Sequence, residues 1–236
     1  MCFSVQVETD LKKLAYRFDA TVNEKAFENF KGLENLDAHK YKFAYPEDQR
    51  IFSKVWAPVI CMVGGERQIR PMRYQLLPGF CENEIYTRLN TDTNKEVEIK
   101  NTFNARLDSL DTAKAWQKPF MNFHAVLPIK KFYEWVPKDG HKAMVSFAPE
   151  NDEYLLAPCL YDNWFSKDKS KIIQSFAIIT DEPRPEILEL GHDRTPIALD
   201  EEKMNSWLQP TGKEAQDLYN ILRSPKHDHY LHDWLT

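Results

Sequence analysis

Apolar and polar positions repeat with two different periods along this chain, and the changes of period mark out its elements. Between Thr9 and Phe18, the residues Leu11, Leu14, Ala15 and Phe18 fall at i, i+3, i+4 and i+7 behind Thr9 and Asp10, which predicts a capped amphipathic helix. From Val55 to Leu77, β-branched and apolar residues take over, interrupted by Gly64-Gly65, and predict a hairpin. Residues 90–101 are polar and predict a loop or a solvent-facing excursion, and Asp111 is placed to cap a short helix through Ala115 and Trp116. Strand-like runs follow at 124–127, 132–136, 142–147, 154–160 and 172–180, with Lys138-Asp139-Gly140 as a turn between the second and third. A helical run from Pro185 to Leu190 stops at Gly191 and leads to a strand at 197–199; two further helices are predicted, one after Asp200 and one over 213–222 with Leu218, Ile221 and Leu222 on one face. Together these elements predict an α+β fold, a mostly antiparallel, barrel-like β-sheet core with flanking helices.

At 236 residues and 42% hydrophobic content, the chain can bury a sizeable core as a single domain spanning 1–236, with a short C-terminal tail from about residue 224. No apolar run approaches the ~18 residues that span a bilayer, so no membrane partner is expected. The start, MCFSVQVETDLKK, lacks the basic and apolar regions of a secretory signal, and a cytoplasmic location is expected. Cys2, Cys61, Cys81 and Cys159 are scattered without a C-x-x-C pair, which points to neither a disulfide framework nor a structural metal. His227, His229 and His232 near the end fit a solvated tail better than a metal cluster, because no other ligand stands at fixed spacing to them. A net charge of -5 argues against a protein that coats nucleic acid by bulk charge, yet leaves room for a locally basic groove. No cofactor is implied, and a monomer is expected.

Cys2 is the residue with the richest chemistry. Loss of Met1 would leave a free α-amine and a thiol on neighbouring carbons, able either to attack an acyl carbon through sulfur or to condense with an aldehyde and close a thiazolidine ring. Glu134 sits between Tyr133 and Trp135 in an aromatic strand, so it either points to solvent by alternation or lines a cleft. His192 falls on the loop after Gly191. Asn104 and Arg106 read as a turn residue and a surface cation, although an arginine two residues from a candidate site is also a natural clamp for phosphate or carboxylate.

Taken in order, an initial Met-Cys, the strand ending at Arg73 to Phe80, Asn104-Ala105-Arg106, Phe132-Tyr133-Glu134-Trp135, the strand ending Ile178-Ile179-Thr180 and His192-Asp193-Arg194-Thr195-Pro196 resemble the SOS response-associated peptidase (SRAP) family, which handles abasic sites in single-stranded DNA. The chain departs from the family pattern at Phe3-Ser4 (usually Gly-Arg), Asp108-Ser109 (usually Glu-Thr), Lys131 (usually Gly) and Thr195 (usually Met).

The resemblance implies that Cys2 captures the open-chain aldehyde of an abasic site as a thiazolidine crosslink. Glu134 would act as general acid/base, His192 would polarise the sugar oxygen, and Asn104 would hold Cys2. It further implies DNA contacts at Arg106, Arg194, Trp135 and Thr180, with Arg73, Lys130 and Lys131 as weaker candidates, and nucleoid association when DNA is bound. Self-processing peptidase activity, cleaving Met1 from Cys2, follows from the same resemblance, which also allows an abasic-site lyase activity. Two rival readings remain: an N-terminal-nucleophile amidohydrolase acting on a small amide, and a non-catalytic module that binds single-stranded DNA.

Overall fold

The computed structural model describes residues 4–44, 47, 49–223, 226 and 229–235. In chain order, β1 (Ser4–Val7), α1 (Leu11–Phe18), β2 (Thr21–Val22), α2 (Glu24–Leu36), β3 (Lys42–Phe43) and β4 (Arg50–Ile51) lead into a long hairpin of β5 (Val55–Val63) and β6 (Glu66–Tyr74). The small hairpin β7 (Thr87–Asn90) and β8 (Lys95–Glu98) precedes β9 (Asn104–Arg106) and α3 (Gln117–Asn122). Then come β10 (His124–Lys138), β11 (His141–Pro149), β12 (Leu155–Phe165), β13 (Ile172–Asp181), α4 (Pro185–Glu189) and β14 (Thr195–Pro196). The described chain ends with α5 (Glu201–Trp207), α6 (Ala215–Leu222) and β15 (Tyr230–Leu235).

Local chemistry accounts for the elements that were legible. The Asp10 carboxylate accepts from the N–H groups of Lys12 and Lys13, so α1 begins one residue after it and buries Leu14 and Phe18. Gly64 and Gly65 both take positive φ, 61° and 86°, the backbone that a tight turn between twisted strands requires.

The core is a closed barrel. β5, β6, β13, β12 and β10 pair in sequence, and β10 returns to β5 because Ala125 faces both Cys159 of β12 and Cys61 of β5. Only the β6–β13 contact within this ring is parallel, so the mostly antiparallel, barrel-like core with flanking helices is what the chain adopts. Closure leaves these strands no free edge.

Alternation sorts the side chains into two layers. Val59, Tyr74, Leu127, Cys159 and Phe176 fill the barrel, while Ile60, Val126, Leu160 and Ile179 face outward and are covered by Leu14, Phe120, Trp207 and Leu222 from the helices. A third cluster packs Phe30 and Leu33 of α2 on Trp56 and Trp164. Each fully buried large side chain contributes roughly 1.5–3 kcal/mol relative to exposure.

Four expectations change. Asp111 does not cap a helix through Trp116; its carboxylate accepts from the Tyr219 hydroxyl at 2.8 Å, and the helix starts at Gln117 instead. The runs at 124–127 and 132–136 are one continuous strand, β10. The short strand expected at 197–199 lies earlier, at Thr195–Pro196. The stretch from residue 224, expected as a solvated tail, carries β15, which pairs with β11 and buries Tyr230 against Phe132 at 5.3 Å between ring centroids. Tyr230 and Trp234 supply one apolar face to that strand.

Candidate active site

β10 carries Glu134, and a bulge decides where it points. Val5 pairs with Phe132 and Gln6 with Lys131, but Val7 pairs with Ile129, so Lys130 is an extra residue opposite β1. Before the bulge, Ala125, Leu127 and Ile129 face the interior; after it, Phe132 and Val136 do. The one-residue offset turns Glu134 inward, to 1% exposure, and turns Trp135 outward, to 44%. Uninterrupted alternation would have reversed the two. The bulged Lys130 is tied down through its ammonium group, which donates to Glu8 at 2.8 Å and to Gln49 at 2.6 Å.

His192 reaches Glu134 from the loop between α4 and β14. Gly191, just before it, has φ 85°, and a Cβ built there would lie 3.0 Å from Cγ of Pro137 in β10. Glycine is therefore needed both for backbone conformation and for close approach of the loop to the strand. Nε2 of His192 lies 2.8 Å from Oε2 of Glu134. On its other side, Nδ1 of His192 sits 2.9 Å from the carbonyl oxygen of Arg194 and 3.3 Å from the Arg194 N–H.

The roles of the two ring nitrogens follow the tautomer. With Nδ1 accepting from the Arg194 N–H, Nε2–H of a neutral imidazole donates to the Glu134 carboxylate; with Nδ1–H donating to the Arg194 carbonyl, the contact holds an imidazolium facing a carboxylate or a neutral imidazole facing a carboxylic acid. The last two forms differ by one proton moved across 2.8 Å. Glu134 Oε1, the other carboxyl oxygen, is buried with no hydrogen-bond partner among the described residues. The pair can thus pass a proton and still present an acceptor.

β13 brings in the remaining groups. Its end pairs in parallel with β9, placing Asn104 beside Ile178 and Arg106 beside Thr180, while Pro196 of β14 flanks Thr180 on the other side. Asn104 and Thr180 are buried, and Thr180 Oγ1 has no hydrogen-bond partner among the described residues. Arg106 and Arg194 meet at Asp108: Arg106 donates to its carboxylate at 2.6 and 3.1 Å, and Arg194 lies 3.7 Å away. The Arg106 guanidinium holds the Asp108 carboxyl below its ordinary range, with Arg194 adding to the effect.

Other expected contacts fall elsewhere. Arg73 pairs in register with Ser175, five residues before Thr180 on β13 and so about 16 Å down the strand. It is buried beside Trp56, with Glu84 as its counter-charge at 3.8 Å, away from the Glu134–His192 pair. Lys130 is engaged by Glu8 and Gln49, and Lys131 lies 3.9 Å from Asp233. Cys2 lies outside the described residues, as does His227. Among the described residues no group of three or more His, Cys, Asp or Glu is placed to hold a metal ion, and no helix is long and apolar enough to cross a membrane.

Arg50 had no signal in the sequence. Its Nε donates to Ser4 Oγ at 2.8 Å and its guanidinium lies 3.8 Å from the centre of the Tyr133 ring, beside the first described residue of β1. The contact arises from pairing of β1 with both β4 and β10, which no local pattern encodes.

Comparison with known proteins agrees with this architecture. Two crystal structures, of proteins from Bacteroides thetaiotaomicron and Bordetella bronchiseptica, superpose with TM-scores of 0.72 each at 17% and 16% identity; all of this chain is covered, and 92% and 100% of theirs, which establishes a shared fold. Among curated proteins, abasic site processing protein YobE of Bacillus subtilis is 28% identical over 160 residues, 67% of each chain. Abasic site processing protein YoqW of the same organism is 24% identical over 161 residues, 68% of this chain and 66% of YoqW. In Saccharomyces cerevisiae, abasic site processing protein YMR114C is 23% identical over 205 residues, 85% of this chain and 50% of the yeast protein. A family model matches residues 1–233, and the chain belongs to the SOS response associated peptidase (SRAP) family.

Proposed function

We propose that this protein recognises an abasic site in single-stranded DNA and captures its aldehyde covalently on Cys2 after removal of Met1. The observation that carries the reading is the buried Glu134–His192 pair, 2.8 Å apart, with one carboxyl oxygen unengaged among the described residues. The curated relatives are named as abasic site processing proteins, which supports the same substrate.

In the proposed reaction the α-amine of Cys2 adds to the open-chain aldehyde to give a carbinolamine. A proton delivered from the Glu134–His192 pair lets its hydroxyl leave as water, and an imine forms. The Cys2 sulfur then adds to the imine carbon while nitrogen takes back a proton, which closes the thiazolidine. Ser4 pairs with Tyr133, next to Glu134, and the two peptide units between Cys2 and Ser4 span at most about 7.6 Å. That reach supports delivery of the terminus to the pair. Asn104 is assigned to positioning Cys2, and Arg106, Arg194, Thr180 and Trp135 to the DNA strand. Cleavage of Met1 by the same groups is part of the proposal. A reaction at a chain terminus needs one copy, so the monomer is the proposed active form, on DNA in the cytoplasm.

Incubating the protein with a single-stranded oligonucleotide treated with uracil-DNA glycosylase, then running a denaturing gel, tests the reading. A heat-stable shifted band is expected, accompanied by loss of Met1 in the intact mass. Absence of the band with wild type, or its persistence in Cys2→Ala, would overturn it. Turnover of a small amide without DNA would favour the amidohydrolase reading instead.

A further inference from the structure

Asp108 occupies the space between the two arginines assigned to phosphate. It lies in the 3-10 turn Leu107–Ser109 that follows β9. Its Oδ1 accepts from Arg106 Nε at 3.1 Å and its Oδ2 from Arg106 Nη2 at 2.6 Å, a two-point grip on the guanidinium edge. The same Oδ2 faces Arg194 Nη2 at 3.7 Å. One oxyanion gripped by one guanidinium and facing a second is also how two arginines receive a phosphate.

The turn has ties other than this ion pair. Arg106 is held through its backbone beside Thr180, Leu107 is buried, and the Ser109 hydroxyl donates to the Arg106 carbonyl at 3.2 Å. The side chains of Arg106 and Asp108 are 53% and 56% exposed, and ion pairs that open to water are weak and exchangeable. Asp193 contributes a second negative charge near Arg106. A carboxylate that opens to water and faces both cations of an assigned DNA surface is placed to compete with phosphate on that surface.

We propose that Asp108 is a built-in stand-in for phosphate: it keeps Arg106 and Arg194 aimed at a common point in the free protein and is displaced when a DNA phosphate takes that point. Binding is then an exchange of anions. Intact single strands, which offer only backbone charge, are held weakly, and retention falls to the covalent step at an abasic site. The inference rests on the reading of Arg106 and Arg194 as phosphate contacts.

The test is fluorescence anisotropy of full-length protein with an intact, labelled oligothymidine between 50 and 200 mM NaCl. Asp108→Asn removes the competing charge and keeps the side-chain shape, so it should bind about two- to fivefold tighter. Its salt dependence should be steeper by up to about 0.7 in log K against log salt, one more phosphate neutralised on a single strand. Asp108→Glu, which retains the charge, should behave as wild type, and the gain from Asp108→Asn should shrink when Arg106→Gln is also present. Equal or weaker binding by Asp108→Asn, with an unchanged thermal melt, would overturn the proposal and identify Asp108 as a brace. Failure of the wild type to bind any single strand and to form an adduct with an abasic one would instead overturn the function itself.

Discussion

Oε2 of Glu134 and Nε2 of His192 stand 2.8 Å apart although one comes from the middle of a strand and the other from a loop. A proton shared at this distance makes the two residues one unit. Glu134→Gln and His192→Gln are each expected to slow adduct formation about 10²-fold or more, the usual scale of acid/base catalysis. The double variant should be little slower than the worse single one, because groups acting as a unit are non-additive. Single-turnover crosslinking to an abasic oligonucleotide checks this; rate losses that multiply would mean that the two act independently.

Gly191 makes that approach possible. An added Cβ would stand 3.0 Å from Pro137 Cγ on a backbone with φ 85°. Gly191→Ala should therefore push the loop off β10, lowering stability by about 1 kcal/mol and slowing adduct formation more than it weakens DNA binding. Thermal melting, crosslinking rate and anisotropy, measured on one preparation, separate these effects. An unchanged rate would show that His192 does not depend on this contact.

Elements defined by local chemistry were legible in the sequence. The Asp10 cap, the Gly64-Gly65 turn and the turn before β11 each follow from residues next to one another. α2 carries the same kind of signal, with Ala26, Phe30 and Leu33 buried on one face behind Asn23, but charged residues and Gly32 dilute it. Tertiary pairing was not legible. β10 pairs with β12 and β5 at one end and with β1 and β11 at the other, and Pro128 with Lys130-Lys131 between them looks like an interruption. Glu134 was undecidable for the same reason, since its direction depends on a bulge that exists only opposite β1. The candidate site was therefore readable as a set of motifs, whereas the contacts of Asp108 with two arginines and of Arg50 with Ser4 required the fold.

The bulge predicts a long-range effect of Glu8. Burial pushes the Glu8 carboxyl up, but Lys130, the Asp10 N–H and Lys13 outweigh it and bring it down to about 2. A carboxyl lowered from 4.5 stabilises the fold above that value, and the contribution is lost as pH falls from about 4.5 toward 2. Glu8→Gln should cost about 2 kcal/mol at pH 7 and flatten the acid limb of stability in that window. It should also release Lys130 and slow adduct formation without touching DNA. A urea melt series against pH reads the first effect. For the second, a wild-type crosslinking rate in the folded variant would remove Glu8 and Lys130 as positioning residues.

The last strand links the chain end to the same wall of the site. Tyr230 is 1% exposed and packs edge-on against Phe132, which also stacks on Phe147 at 5.0 Å; Phe132 lies two residues from Glu134 on the same face of β10. Deleting residues 230–236 removes that ring and leaves β11 as a bare edge, so stability should fall by about 3 kcal/mol, the scale of truncating a large buried aromatic. Exposing an unpaired apolar edge should also promote self-association. Tyr230→Phe keeps the packing and should retain most of the stability, which separates lost ring contact from a lost hydroxyl. Melting and light scattering on the three proteins decide the matter: a deletion that melts like wild type and stays monodisperse would return this stretch to the solvated tail that its composition suggests.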